Sequence, residues 1–171
     1  INTVSSGQAT VTLNSSNGVA DTIAFTNGAG IVAAADRVTV TGFNTATDII
    51  ALDDAQTTTG SNTLQVVTAA AAVTTGNAAS NVLVYSFEMA GSTDVLGGDL
   101  TGGSLLSNNG GTITVTSGDD GYIIAYDGGN AYLYAFVDSG STALAAGEIK
   151  LIGVFNDIAV GAIGTANVTQ A

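Results

Sequence analysis

Residues 121–137 read GYIIAYDGGNAYLYAFV and contain the clearest local structural signal of the sequence. Two alternating, aromatic-rich runs flank the turn sequence DGGN at residues 127–130. Glycine adopts the positive φ angles that a tight primed turn requires, so the stretch predicts a β-hairpin. Because side chains alternate along a strand, Tyr122, Ile124 and Tyr126 share one face of the first strand. We expect this pair of strands to lie at the centre of a sheet.

Short β-type runs recur along the rest of the chain, as alternating apolar and Thr or Ser positions bounded by Gly, Asn and Asp. Runs of this kind with turn signals between them favour an all-β sandwich, roll or barrel. The prediction is one all-β domain over residues 1–171, a β-sandwich or β-roll-like domain of about ten short strands with at most one or two short helices. The runs cover residues 9–13, 22–26, 37–41, 48–52, 63–68, 81–87, 112–116, 121–126, 131–137 and 148–155.

A few segments leave alternatives open. Residues 29–35 and 66–73 could each form about two helical turns, and a short helix could begin at Asp94, although several glycines follow it. Residues 1–16 alternate in hydrophobicity and could add to the sheet edge of a neighbouring subunit. The interpretation we favour for them is an ordinary first strand of the chain's own sheet.

The composition is that of a folded acidic protein. Apolar residues make up 46%, charged residues only 9%, and 14 acidic residues face 2 basic ones, for a net charge of −12. So few bases predict no nucleic-acid partner, and no apolar run is long enough to predict membrane insertion. The absence of Cys and the near absence of Lys are typical of bacterial extracellular proteins. Because the chain begins with Ile1 rather than Met, we expect a processed mature form or a fragment.

The chain lacks several of the side chains that catalytic sites and metal sites commonly use. The chain has no His to act as a general base and no Cys to act as a nucleophile, and it lacks the usual ligands for zinc, copper and haem. It also lacks Trp, which usually lines the clefts of glycoside hydrolases, although Asp and Glu are present for such chemistry. The sequence therefore predicts that the protein is not an enzyme.

Calcium is the metal that the sequence suits, because it binds six to eight oxygens from carboxylates, amides, carbonyls and water. Each Asp taken singly is better explained as a turn or cap residue that bonds nearby backbone N–H groups. Clustered carboxylates with almost no basic partners, however, favour a bound cation. The candidate ligands are Asp36, Asp48, Asp53, Asp54, Asp94, Asp99, Asp119, Asp120, Asp138 and Glu148.

Residues 36–54, DRVTVTGFNTATDIIALDD, resemble the D-x-I-x-x-F-x-x-x-x-D-x-I-x-L element beside RTX (repeats-in-toxin) β-rolls of bacterial proteins exported by type I secretion. Residues 20–25, ADTIAF, are similar to the preceding rung of such a region, with Asp21 in its acidic position. Residues 130–157 are similar to the C-terminal strands and acidic loop of RTX-related surface-layer and adhesin proteins. No glycine-rich nonapeptide array is present, so the family's stacked calcium ladder does not carry over. The matched positions are Asp36, Val38, Phe43, Asp48, Ile50 and Leu52.

The resemblance implies a secreted, extracellular or cell-surface bacterial protein that depends on calcium. With the composition, it predicts a structural subunit of a surface layer or filament that self-assembles with copies of itself. Cell-surface polysaccharide is a second candidate partner. The alternative is a C-terminal ligand-binding or secretion and targeting module of a larger RTX-type adhesin.

Overall fold

A computed structural model of the chain describes residues 2–3, 9–16, 18–25, 37–52, 64–69, 72–74, 82–89, 112–115 and 120–170. The described residues form β-strands joined by turns, with two single turns of 3-10 helix at Ala146–Glu148 and Thr165–Asn167. The predicted all-β character is therefore confirmed. In chain order the strands are β1 Asn2–Thr3, β2 Ala9–Thr12, β3 Thr22–Phe25, β4 Val38–Thr41, β5 Ile49–Leu52, β6 Leu64–Val67, β7 Val73–Thr74, β8 Val82–Glu88, β9 Ile113–Thr114, β10 Asp120–Asp127, β11 Asn130–Val137, β12 Ile149–Phe155 and β13 Val168–Gln170.

Each predicted β-type run overlaps one of these strands. The helical alternative for residues 66–73 is wrong. That segment contributes the end of β6 and the first residue of β7. Branched Val residues and pairing with neighbouring strands outweigh the helix propensity of its alanines. The helices considered for residues 29–35 and after Asp94 lie outside the described residues.

The hairpin has the predicted turn and position. Strands β10 and β11 pair antiparallel up to Asp127 opposite Asn130, and Gly128 and Gly129 have φ angles of 55° and 78°. Two consecutive positive φ angles are the mark of a type I′ turn, whose twist matches that of the flanking strands. Strand β11 is central in the sheet order β2-β4-β12-β11-β10-β8-β6.

A parallel coil is attached to this hairpin. In the seven-stranded sheet β2 pairs with β4 and β4 with β12, while in the four-stranded sheet β1, β3, β5 and β13 follow one another, all in parallel. The chain therefore passes between the two sheets, and each passage forms one turn of the coil, which we call a rung. Three rungs stack on one another in space: β2 with β3, β4 with β5, and β12 with β13. Equivalent residues stack from rung to rung, as Val11 does on Val40 and Ile23 on Ile50.

Both faces of the seven-stranded sheet are buried, which explains why its central strands are apolar on both sides. One face packs against the four-stranded sheet and contains Tyr122, Ile124 and Tyr126. The opposite face contains Ile123 and Ala125 and packs with residues around β9. The two faces predicted for the first hairpin strand are therefore confirmed.

Phe43 anchors the turn between β4 and β5 in the core. Its ring lies edge-on to Phe155, with centroids 5.1 Å apart. Just before it, Gly42 has a φ angle of 76°, and a Cβ atom there would lie 2.4 Å from the backbone oxygen of Leu13. Only glycine fits a backbone approach this close, so Gly42 fixes the path by which the chain leaves β4.

Candidate functional site

The turn at residues 44–48 joins the two sheets within one rung of the coil. The carbonyl oxygen of Asn44 accepts hydrogen bonds from the N–H groups of Thr47 at 3.1 Å and Asp48 at 2.8 Å. The side-chain oxygen of Asn44 also accepts a bond from the N–H of Ala46 at 3.0 Å. Asn, Thr and Asp form such turns because their short side chains bond the local backbone.

The Asp48 carboxylate is buried and links two rungs. Its Oδ1 accepts bonds from the N–H of Asp21 at 3.0 Å and the hydroxyl of Thr47 at 3.1 Å, and its Oδ2 accepts one from the N–H of Asn44 at 2.8 Å. Only 2% of the residue is exposed. Residues Asp21 and Asp48 directly precede the paired strands β3 and β5, so the bond to Asp21 ties the first rung to the second.

Asn167 continues this connection to the third rung. Its buried Nδ2 donates to the carbonyl oxygens of Thr45 at 2.8 Å and Asp48 at 3.0 Å, while its Oδ1 accepts a bond from the N–H of Gly164 at 3.0 Å. Sequence reasoning missed Asn167. Asn167 directly precedes β13, and its role becomes visible only when that strand is aligned with β5, where Val168 lies opposite Ile50.

These bonds give Asp48 a structural role. A carboxylate has about four lone-pair positions, and three donors already point at this one. Calcium takes six to eight oxygens, so a cation at Asp48 would need further ligands besides this carboxylate. Calcium binding at Asp48 stays a prediction.

Two further candidate ligands close the loop between β11 and β12. The buried Asp138 accepts bonds from the N–H of Gly140 at 3.0 Å and the hydroxyl of Ser141 at 3.3 Å. Glu148 accepts bonds from the N–H of Ser139 at 2.8 Å and the N–H of Ala145 at 2.7 Å, and from the Ser139 hydroxyl. The two carboxylates thus hold the loop at both ends.

The loop is fastened to the rest of the molecule by Leu144. Its side chain is buried, and its N–H donates to the carbonyl oxygen of Ile113 at 2.9 Å. The N–H of Val115 donates in turn to the carbonyl oxygen of Thr142 at 3.0 Å. Because β9 lies on the outer face of the seven-stranded sheet, the carboxylate-held loop helps to cover that face.

The bonds to Glu148 lower its pKa from the ordinary value of 4.5. The main causes are the backbone N–H of Ala145 and the Ser139 side chain, which both favour the charged carboxylate. A lowered folded-state pKa gives stability that is present above the unfolded pKa and is lost as the pH falls through the folded one. The loop should therefore loosen in acid.

We expect the substitution Glu148→Gln to lower the free energy of unfolding by about 1 kcal/mol at neutral pH. The amide oxygen can still accept from Ser139, but the amide nitrogen cannot accept from the N–H of Ala145. The estimate is modest because the side chain is partly exposed. Urea unfolding at neutral pH and below pH about 4 measures the change, which should shrink in acid.

Glu88→Gln is the matched control. The exposed Glu88 accepts one bond, from the N–H of Gly128 at 3.0 Å, and an amide oxygen can keep it. Its effect should stay within about 0.5 kcal/mol at both pH values. Equal losses for the two variants would contradict the role given to Glu148.

The other candidate ligands are separated or lie outside the described residues. Asp120 is half-buried at the start of β10, opposite Val137. Within the ranges that the structure describes, no three acidic side chains come together in a group that could hold a metal ion. The candidates outside those ranges are Asp36, Asp53, Asp54, Asp94, Asp99 and Asp119.

Comparisons with protein-family models, with curated proteins and with solved structures find no match to this chain. No described helix has the length and apolar character needed to cross a membrane.

Proposed function

We propose that the chain is a structural module of a bacterial surface layer or filament, secreted by a type I route and assembled outside the cell with copies of itself. The observation that carries the proposal is the parallel coil, whose rungs are tied together by Asp48 and Asn167. An outer strand of such a coil can pair with a strand of a second copy. Among the described strands, β2 is an outer strand of the seven-stranded sheet and β13 is an outer strand of the four-stranded one.

The buried polar residues favour this structural interpretation over an enzyme. Among the described residues the buried polar side chains are Asp48, Asp138 and Asn167. Each bonds the local or neighbouring backbone, and so stabilises turns and rungs. Polar groups used in this way are not available to act as acid, base or nucleophile on a substrate.

The excess of acidic residues is the reason that the proposal includes calcium. With 14 acidic and 2 basic residues, copies of the chain repel one another unless a cation lies between them. Because Asp48, Asp138 and Glu148 already accept several bonds, the remaining candidate ligands are the better ones. Low calcium inside the cell would keep the chain dispersed, and millimolar calcium outside would favour assembly by mass action.

We expect calcium at roughly millimolar concentration to drive chelator-treated protein into larger particles. The measurement is a calcium titration that follows particle size by light scattering and secondary structure by circular dichroism in the same sample. Magnesium at equal ionic strength is the control, since it demands a stricter octahedral site than calcium.

The same titration separates the proposal from its alternative. No change of size or secondary structure in calcium would contradict both the metal and the assembly. A chain that stays monomeric and instead binds a cell-surface polysaccharide would support the ligand-binding module of a larger adhesin.

A further inference from the structure

A cavity of about 290 Å³ opens where the turns of the three rungs meet. The turn after β2 contributes Ser15 to its wall, and the turn after β4 contributes residues 43–45. The turn after β12 contributes residues 157–159 and Ala162. The cavity therefore exists only because the rungs are stacked, and its volume suits a small molecule of about one ring.

Hydrogen bonds between the turns fix the wall of this cavity. The side chain of Asn44 donates through Nδ2 to the carbonyl oxygen of Ser15 at 3.2 Å, which joins the first turn to the second. Asn167 donates through its Nδ2 to the carbonyl oxygen of Thr45 at 2.8 Å, which joins the second turn to the third. A preformed wall lowers the cost of binding, because a ligand does not have to order these groups.

The wall of the cavity has an apolar part and a polar rim. The apolar part consists of the buried Phe43 and Ile158 together with the half-buried Ala162. The rim carries two hydroxyl groups and one carboxylate, which belong to Ser15, Thr45 and Asp157. Within the described part of the chain, these three side chains make no hydrogen bond or ion pair with another residue. Their hydrogen-bonding capacity is therefore available to a ligand.

Asp157 is positioned by an unusual backbone conformation. Its φ angle is 58°, a left-handed value that Asp and Asn adopt more readily than other non-glycine residues do. Its N–H donates to Oδ1 of Asn130 at 3.2 Å, so the end of the hairpin holds the backbone from which the carboxylate projects. The residue is exposed and lines the cavity, so a bound molecule would meet this carboxylate on the rim.

This set of side chains selects the chemistry of a ligand. A carboxylate only accepts hydrogen bonds, whereas each hydroxyl both donates and accepts. A single carboxylate beside apolar side chains does not by itself supply the six to eight oxygens of a calcium site. Anionic molecules are repelled by Asp157 and by the net charge of −12. The ligand that matches is neutral and carries hydroxyl groups around an apolar C–H face, as a sugar ring does.

We propose that this cavity binds one neutral sugar unit of a cell-surface polysaccharide. In this arrangement Asp157 accepts bonds from sugar hydroxyls, while Phe43 and Ile158 contact the C–H face of the ring. One such site binds weakly, but an assembled layer presents many copies to the same polysaccharide and so binds it with avidity. The avidity rests on the proposed self-assembly, whereas the site itself belongs to a single chain and can be tested in chelator.

The test is a nuclear magnetic resonance titration of the chelator-treated chain. The probes are the methyl glycosides of glucose, galactose, mannose and N-acetylglucosamine. At least one of them should bind with a Kd of roughly 1–10 mM, which is the affinity expected of so small a ligand. The backbone signals that shift should be those of Ser15, residues 43–45 and residues 157–162.

Two variants test the two parts of the wall. Asp157→Asn keeps the size of the side chain but removes the charge that strengthens accepted bonds, and it should weaken binding about tenfold or more. Ala159→Leu enlarges an exposed residue on the wall of the cavity and should abolish binding. The control is Asp21→Asn, which removes an equal charge at a different groove and should change the Kd by less than about twofold. Circular dichroism checks that each variant is folded.

The absence of saturable binding by all four glycosides would overturn the inference, as would equal affinities of Asp157→Asn and the wild-type chain. Equal or tighter binding of methyl glucuronide or of butylammonium would overturn it too, because the site would then take an acidic sugar or an organic cation. A neutral polymer of the glycoside that binds should displace that glycoside. A polymer that does not displace it would overturn the assignment to a polysaccharide.

The proposed function can fail independently of this site. Sugar binding in chelator without larger particles in calcium would support the site and contradict the calcium-dependent assembly. Larger particles in calcium without sugar binding would overturn the site and leave the assembly standing.

Discussion

Raising the pH above about 10 should unfold the protein in one cooperative step. All five tyrosines are buried, and burial raises the pKa of four of them, Tyr85, Tyr126, Tyr132 and Tyr134, above the ordinary value of 10.0. For Tyr126 a bond from the N–H of Ile163 at 3.1 Å opposes this effect in part. Each phenol therefore stays neutral in the folded chain while it would ionise in the unfolded one.

The direction and size of this loss of folding stability follow from proton linkage. When folding raises a pKa, the folded chain keeps its full stability below the pKa of the unfolded chain, which is about 10 for tyrosine. The stability is lost as the pH rises further. Tyr85 and Tyr134, whose pKa values burial raises most, ionise only on unfolding and together give a loss of about 3 kcal/mol per pH unit, at about 1.4 kcal/mol for each proton. A domain at the lower end of the typical range of about 5–15 kcal/mol would then unfold within about two pH units.

The measurement is a pH titration that follows tyrosinate absorbance and circular dichroism together. Both signals should change at the same pH and over a narrower range than one independent group would give. Tyr134→Phe removes one titrating proton and should reduce the alkaline loss by about 1.4 kcal/mol per pH unit. Absorbance that rises near pH 10 while the dichroism stays native would contradict the burial of these phenols.

Replacing Asp48 should destabilise the coil more than any other acidic substitution among the described residues. Asp48→Ala removes three accepted bonds and leaves the N–H groups of Asp21 and Asn44 without their acceptor. An unsatisfied buried donor costs about 1–3 kcal/mol, so we expect a loss of about 3–5 kcal/mol in the free energy of unfolding. Asp48→Asn should lose less, because one amide oxygen can still accept.

Asp21→Ala is the matched control, because Asp21 contributes its backbone N–H and carbonyl to this network and alanine retains both. Its effect should stay within about 0.5 kcal/mol. Urea unfolding of each variant in chelator and in calcium distinguishes the two roles of Asp48. A structural role predicts the same loss in both conditions, whereas a loss confined to calcium would identify Asp48 as a cation ligand.

The hairpin and the strand segments could be predicted because their signals are local. A DGGN turn between aromatic runs fixes pairing and register within one short stretch, and Phe43 is marked as a core residue by its position between two strands. The connections of the coil could not be predicted in this way. Parallel pairing joins residues far apart in the chain, and β1, β7 and β13 are two or three residues long.

The candidate site also combines features that the local sequence marks with contacts that only the fold creates. Asp48 stands out in the sequence because it begins a strand after a polar turn, but its partners Asp21 and Asn167 come from other rungs. Composition suggested a cation as the partner of such carboxylates, whereas at Asp48 and Glu148 the local backbone supplies N–H donors instead. A carboxylate's partner depends on which backbone groups the fold directs towards it, and no single-residue pattern contains that information.

Sedimentation velocity of the wild-type chain, first in chelator and then in millimolar calcium, shows whether the chain assembles. We expect one slowly sedimenting species in chelator and much larger species in calcium. A single monomeric boundary in both conditions would contradict the assembly function proposed for this coil.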